Sequence, residues 1–128
     1  MGAQSVHTAN MRPRLLIVDD HDGFRSIARA MLEREGFDVV GEAADGRGAV
    51  IAVSELNPGI VLLDVHLPDV DGFAISERLA QLADPPTVVL ISSRPINDLR
   101  QRVQASPVAG FLAKDELSGA ALIAIVGG

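Results

Sequence analysis

The chain has 128 residues, a size that fits one domain, with 48% hydrophobic residues, no cysteine and a formal charge of −6. The missing cysteines exclude disulfides, thiolate catalysis and Cys-ligated zinc, and the acidic balance disfavours direct nucleic-acid binding, which needs a basic patch. Four Phe are the only aromatics, so the core must be aliphatic.

Residues 1–12 read as a mobile tail and residues 13–128 as the folded domain. Met11 is a second candidate start. The N-terminal "MGAQSVHTANMRP" lacks the apolar stretch of a signal peptide. It also misses the myristoylation pattern, having Val6 where Ser or Thr is required. No apolar run approaches the ~18 residues of a membrane span. A cytoplasmic location is expected.

Leu15–Val18 reads as a strand that runs directly into Asp19 and Asp20. Residues 22–35 read as a helix, with Phe24, Ile27, Ala28, Met31 and Leu32 at spacings of three and four. Asp22 reads as its cap and Gly36 as its stop. Residues 37–41 form a second strand, Asp45-Gly46 a turn, and residues 47–56 a helix stopped by Asn57-Pro58-Gly59. Ile60–Leu63 is a third strand running into Asp64. After a loop with Pro68 and Gly72, residues 73–82 form a third helix, broken by Pro85-Pro86. Residues 87–91 are a fourth strand, reaching Ser92 and Ser93. Ile96, Leu99 and Val103 give a fourth helix an apolar stripe. Residues 108–113 are a fifth strand ending at Lys114, and residues 117–126 a last helix.

Five strands alternating with five helices predict an α/β fold of three layers, a doubly wound parallel sheet covered on both faces. The strands are apolar throughout, as doubly buried parallel strands are. In such sheets a ligand sits outside the carboxyl ends of the strands. That rule gathers Asp19, Asp20, Asp64, Ser92 and Lys114 at one edge. Singly, each has an ordinary explanation as a cap, turn or surface residue. Jointly they describe a site. Carboxylates so close repel one another unless a cation joins them, and Mg²⁺ is the expected cation because it pairs carboxylates with phosphate oxygens. A carboxylate can also attack a phosphoryl group. Asp64, on the middle strand, is the best-placed nucleophile, with Lys114 and Ser92 available to neutralise and donate to the transferred group. Lys114 is the only lysine, against ten arginines.

The segments "LLIVDDH", "VLLDVHLPDVDG", "VVLISS" and "GFLAKDEL", in this order, resemble those of bacterial response-regulator receiver domains over about residues 13–126. The resemblance implies a flavodoxin-like receiver fold. It implies that Asp64 is phosphorylated by a sensor histidine kinase or phosphotransfer protein. Mg²⁺ would be held by Asp19, Asp20, Asp64 and the backbone carbonyl of His66. Ser92 would be the switch hydroxyl, Lys114 the phosphate-binding lysine and Phe111 the switch aromatic. Partners would read the face of helix four, strand five and helix five, through which a homodimer can form. No membrane and no direct nucleic-acid contact are implied for this domain. "KDELS" resembles receivers that precede a helix-turn-helix domain, which implies transcription regulation.

Two positions depart from the common pattern and two border the site at variable places. Asp115 follows the lysine where Pro is usual, and without Pro a cis bond costs about 2.5–4 kcal/mol. Phe111 lacks the hydroxyl of the commoner Tyr. Arg94 and the His66 side chain stand at variable positions bordering the site. Two other functions are compatible with the residues. One is a receiver-like interaction module that works without phosphorylation. The other is a haloacid-dehalogenase-type phosphatase with Asp20 as nucleophile and Asp22 as general acid.

Overall fold

The computed structural model describes residues 12–127, leaving the side chain of Ile96 aside. The tail expected over residues 1–12, with Met11, therefore lies almost wholly outside the described residues. Arg12, its last residue, donates to the carbonyls of Glu33, Gly36 and Phe37 at the end of the first helix.

Five parallel strands form one sheet: β1 (Arg14–Val18), β2 (Asp38–Ala43), β3 (Ile60–Asp64), β4 (Thr87–Ser92) and β5 (Gly110–Ala113). They are connected by α1 (Asp22–Arg34), α2 (Gly46–Leu56), α3 (Gly72–Ala80) and α4 (Arg100–Gln104), and α5 (Gly119–Val126) follows β5. The spatial order β2-β1-β3-β4-β5 is doubly wound, and the chain reverses its direction of travel between β1 and β3. That switch point is where such sheets bind ligands.

Strand residues alternate between two cores. Leu16, Val18, Val61, Leu63, Val88 and Leu90 face α2 and α3. Leu15, Ile17, Ile60, Leu62, Val89 and Ile91 face α1 and α5. β1, β3 and β4 are therefore apolar on both sides, while the edge strand β5 is only half-buried along its length. The expected fold class is the observed one.

The boundaries differ from expectation where side chains, not periodicity, decide them. β2 runs on through Glu42 to Ala43, paired with Ile17 and Val18 of β1, and Arg25 and Arg29 both pair with the Glu42 carboxylate. Asp22 is not the cap of α1. His21 occupies that position without a side-chain cap bond, and Asp22 is the first helical residue, bridged to Arg25. Asp45, Asp71 and Ser118 do cap their helices, accepting the N–H three residues on. Asn57 closes α2 in the left-handed conformation, with φ of 49°. The fourth helix is shorter than its stripe suggests. Residues Ile96–Asp98 form a 3₁₀ turn, Leu99 departs from helical angles, and only Arg100–Gln104 is α-helical. Leu99 is buried and Val103 partly so; the Ile96 side chain lies outside the described residues. Lys114–Glu116 is a 3₁₀ turn, so α5 starts at Gly119 rather than Leu117.

Gly72 fixes the loop after β3. A Cβ there would stand 2.4 Å from the Asp64 carbonyl oxygen, and its N–H donates to Val65 O at 2.8 Å. The obstacle is backbone, so it cannot swing aside. Gly72→Ala is expected to cost about 1–3 kcal/mol, the usual range for overpacking, read as a fall of several degrees in melting temperature.

Candidate functional site: an acidic cluster bridged by one lysine

Among the described residues four polar side chains are buried, and three of them, Asp19, Asp64 and Ser92, stand at the carboxyl ends of β1, β3 and β4. The register explains the meeting. Val18 pairs with Leu63, so the next residues, Asp19 and Asp64, stand side by side across the switch point.

Each of the three is held by the same local device. Asp19 Oδ1 accepts the N–H of His21 at 2.8 Å. Asp64 Oδ1 accepts that of His66 at 3.0 Å. Ser92 Oγ accepts that of Arg94 at 2.9 Å. A side-chain oxygen bonded to the amide two residues on turns the chain out of the strand and fixes the side chain's own rotamer.

Lys114 closes the cluster. Its Nζ stands 2.6 Å from Asp19 Oδ2 and 3.3 Å from Asp64 Oδ2. It also lies 4.9 Å from the centroid of the Phe24 ring, within cation–π range. Burial raises the Asp64 pKa above the ordinary carboxylate range, and the charge of Asp19 adds to it. The His66 N–H and Lys114 work the other way. For Lys114, burial alone disfavours the ammonium. The close contact with Asp19 and the charges of Asp64 and Asp19 outweigh it, so its pKa is raised.

One ammonium does not balance three carboxylates. Asp20, on the rim, brings the acids to three, and ligand atoms of Asp19, Asp20, His21 and Asp64 lie within 4.8 Å of one another. Asp19 Oδ2 is buried yet accepts no properly aligned hydrogen bond; the Lys114 ammonium touches it by charge but out of line for a bond. A buried oxygen in that condition is costly. Surplus negative charge, an under-satisfied oxygen and a mainly carboxylate donor set fit a hard dication.

The structure thus brings Asp19, Asp20, Asp64 and Lys114 together. His66 is tied in through its amide, while its side chain is exposed. Ser92 is at the right strand end, but its recorded bond is to Arg94 rather than to Asp64. Phe111 pairs with Leu90 and packs, partly buried, on the α2/α3 core. The Lys114–Asp115 peptide is trans, as are all described peptides.

Three contributors were not expected from the sequence. His21 Nδ1 lies 3.1 Å from Asp19 and 3.2 Å from Asp20. Phe24 is assigned by its spacing to the core, yet stands beside Lys114. Arg25 donates to the Asp19 carbonyl while pairing with Asp22 and Glu42. Only its spacing of three from Asp22 hints at this.

Residues 15–126 match the family model described as the response regulator receiver domain. The chain belongs to this family. Receiver domains are the phosphoacceptor modules of two-component signalling. The chain is 35% identical over 106 residues to BvgA of Bordetella pertussis, named as a positive transcription regulator of virulence factors. The match covers 83% of this chain and 51% of that protein. It is 35% identical over 96 residues to a protein-glutamate methylesterase/protein-glutamine glutaminase of Alkalilimnicola ehrlichii, covering 74% of this chain and 24% of that one. The receiver therefore spans about half, or less, of the curated relatives it matches. Among solved structures it superposes on the signal receiver domain of a Mycobacterium tuberculosis response regulator, NarL. The TM-score is 0.80 at 31% identity, covering 91% of this chain and 98% of that one. Membership displaces the phosphatase reading. Asp22, its required acid, is 91% exposed and engaged with Arg25.

The raised Asp64 pKa has a consequence for stability. Below the unfolded pKa both states hold the proton, and the buried neutral acid is tolerated. As pH rises through the folded pKa, the buried carboxyl must ionise, and that contribution to stability is lost. Without divalent metal, Asp64→Asn is therefore expected to melt above the wild type at pH 7. The gain should shrink as pH falls through the carboxylate range. Thermal melts of both proteins across pH 3.5–7.5 check this; equal melting at pH 7 would refute it.

Proposed function

We propose that Asp64 is the phosphoacceptor of this receiver. The observation that carries the reading is the single ammonium of Lys114 set between two buried carboxylates at the switch point of the sheet. An Asp64 carboxylate oxygen attacks phosphorus. The bond from phosphorus to the donor breaks, and its electron pair leaves with the donor: a histidine nitrogen of a sensor kinase or phosphotransfer protein, or an oxygen of acetyl phosphate. Asp19, Asp20, Asp64 and the His66 carbonyl would hold Mg²⁺, which when bound offsets charge on the acids and on the phosphoryl oxygens. The Lys114 ammonium neutralises a further oxygen. Ser92 Oγ already accepts from the Arg94 amide, so its own proton is free to donate to the phosphoryl group.

In this reading the aspartyl phosphate biases a two-state equilibrium. Ser92 and Lys114 move toward the phosphoryl group, and Phe111 turns further inward on the face formed by α4, β5 and α5. That face is the proposed surface for a homodimer or an output partner, and its last element, α5, carries an exposed apolar residue, Ile123. Among the described residues no helix is long and apolar enough to cross a membrane. The proposed location is the cytoplasm and the proposed output transcription regulation, in keeping with the names of the relatives.

Intact-mass spectrometry after incubation with Mg²⁺ and acetyl phosphate tests the acceptor. One phosphoryl adduct is expected, absent without metal and absent in Asp64→Asn, with Lys114→Ala slowed roughly 10²-fold as for loss of one charge-stabilising donor. A folded wild type that takes no adduct would instead support a constitutive interaction module. His66 and Arg94 border the site and should tune hydrolysis. His66→Ala and Arg94→Ala are each expected to change the adduct's lifetime several-fold in a chase after gel filtration. Unchanged lifetimes would remove them from the account.

A further inference from the structure

A cavity of about 470 Å³ opens between α2 and α3, away from the acidic cluster. Its volume lies in the range of small-molecule sites, roughly 300–1,000 Å³. The walls are aliphatic, from Val50 on α2, Val70 in the loop after β3 and Ile75 on α3. They are closely fitted: a Cβ on Gly46 would stand 2.4 Å from Val70 and 2.9 Å from Ile75.

The rim is cationic. Arg47 and Arg78 both line the cavity. Among the described residues neither guanidinium has an ion-pair partner. The one acid at the rim, Asp69, offsets one of the two cations, and its carboxylate is turned to the backbone of α2 rather than to a guanidinium. Its two oxygens accept the N–H groups of Gly46 and Arg47 at 2.8 and 3.0 Å. Two arginines against one carboxylate leave the edge of this aliphatic hollow net positive on a chain of net charge −6. They form a complementary surface for a ligand with an apolar body and a negative group.

We infer that this groove is a binding site for a small amphiphilic anion, an apolar ring system carrying a carboxylate or sulfonate. The ring fills the hollow against Val50, Val70 and Ile75. The anionic group lies between Arg47 and Arg78, where a planar guanidinium can donate two parallel hydrogen bonds to it. The inference is independent of the chemistry proposed for Asp64.

The probe is 8-anilinonaphthalene-1-sulfonate, titrated into the whole chain and followed by fluorescence. Saturable binding at one site per chain is expected. Arg47→Ala and Arg78→Ala should each weaken it about three- to fivefold, the range of exposed charge pairs, and added salt should weaken it further. Ala74→Trp should abolish it by filling the hollow. Ile51→Glu should weaken it at least as much as loss of one arginine, by placing a like charge in the groove. Ala74 and Ile51 are both exposed, and if a melt shows that Ala74→Trp is unfolded, Ile51→Glu decides. Arg34→Ala, outside the groove, should bind like the wild type. Absence of saturable binding overturns the inference, and so does binding indifferent to both arginines and to Ile51→Glu.

Discussion

Everything at the functional end of this molecule depends on burying Asp19 and Asp64 next to each other. Two carboxylates held out of water at adjacent strand ends repel, and each loses its hydration. The fold admits them because the Lys114 ammonium lies against both and the amides of His21 and His66 each donate one bond. The match is incomplete, since one Asp19 oxygen has no aligned partner. A fold selected for stability alone would place an apolar residue there. The deficit is in keeping with a site whose acids are there to hold a cation.

Strand parity delivers the three groups to the same place. Ile17 and Leu62 face α1 and α5, and so do Asp19 and Asp64, two residues further along. Leu112 packs on the same side, and Lys114 follows it by two. Leu90 and Phe111, paired in register, face the opposite core. Ser92 continues Leu90's side. The charge cluster and the hydroxyl–aromatic pair therefore lie on opposite faces of one sheet edge.

The sheet and the acidic cluster were legible because they rest on short-range signals. Apolar runs ending in Asp19-Asp20, Asp64 and Lys114 define both the strands and their ends, and the carboxyl-edge rule collects them. What was not legible depends on contacts between elements. Phe24 fits a helical core stripe, and nothing local reveals that it meets a lysine 90 residues later. Glu42 looks like a strand terminator until Arg25 and Arg29 are seen to hold it. The stripe of Leu99 and Val103 is genuine, but Pro95 and the 3₁₀ turn that follows it reduce the fourth helix to five residues. Ser118 carried a cap signal that periodicity alone passed over.

The paired Asp69 bonds and the close approach of Gly72 to the Asp64 carbonyl divide the molecule into unequal mechanical halves. On one side, the loop after β3 is fastened to α2 and to its own strand, backed by strands buried on both faces. On the other, α4 has no buried residue and β5 is half-exposed throughout, so few apolar contacts resist displacement there. A push originating between the halves would meet less packing toward α4 and β5 than toward α2 and α3, so displacement is expected to favour the side of α4 and β5.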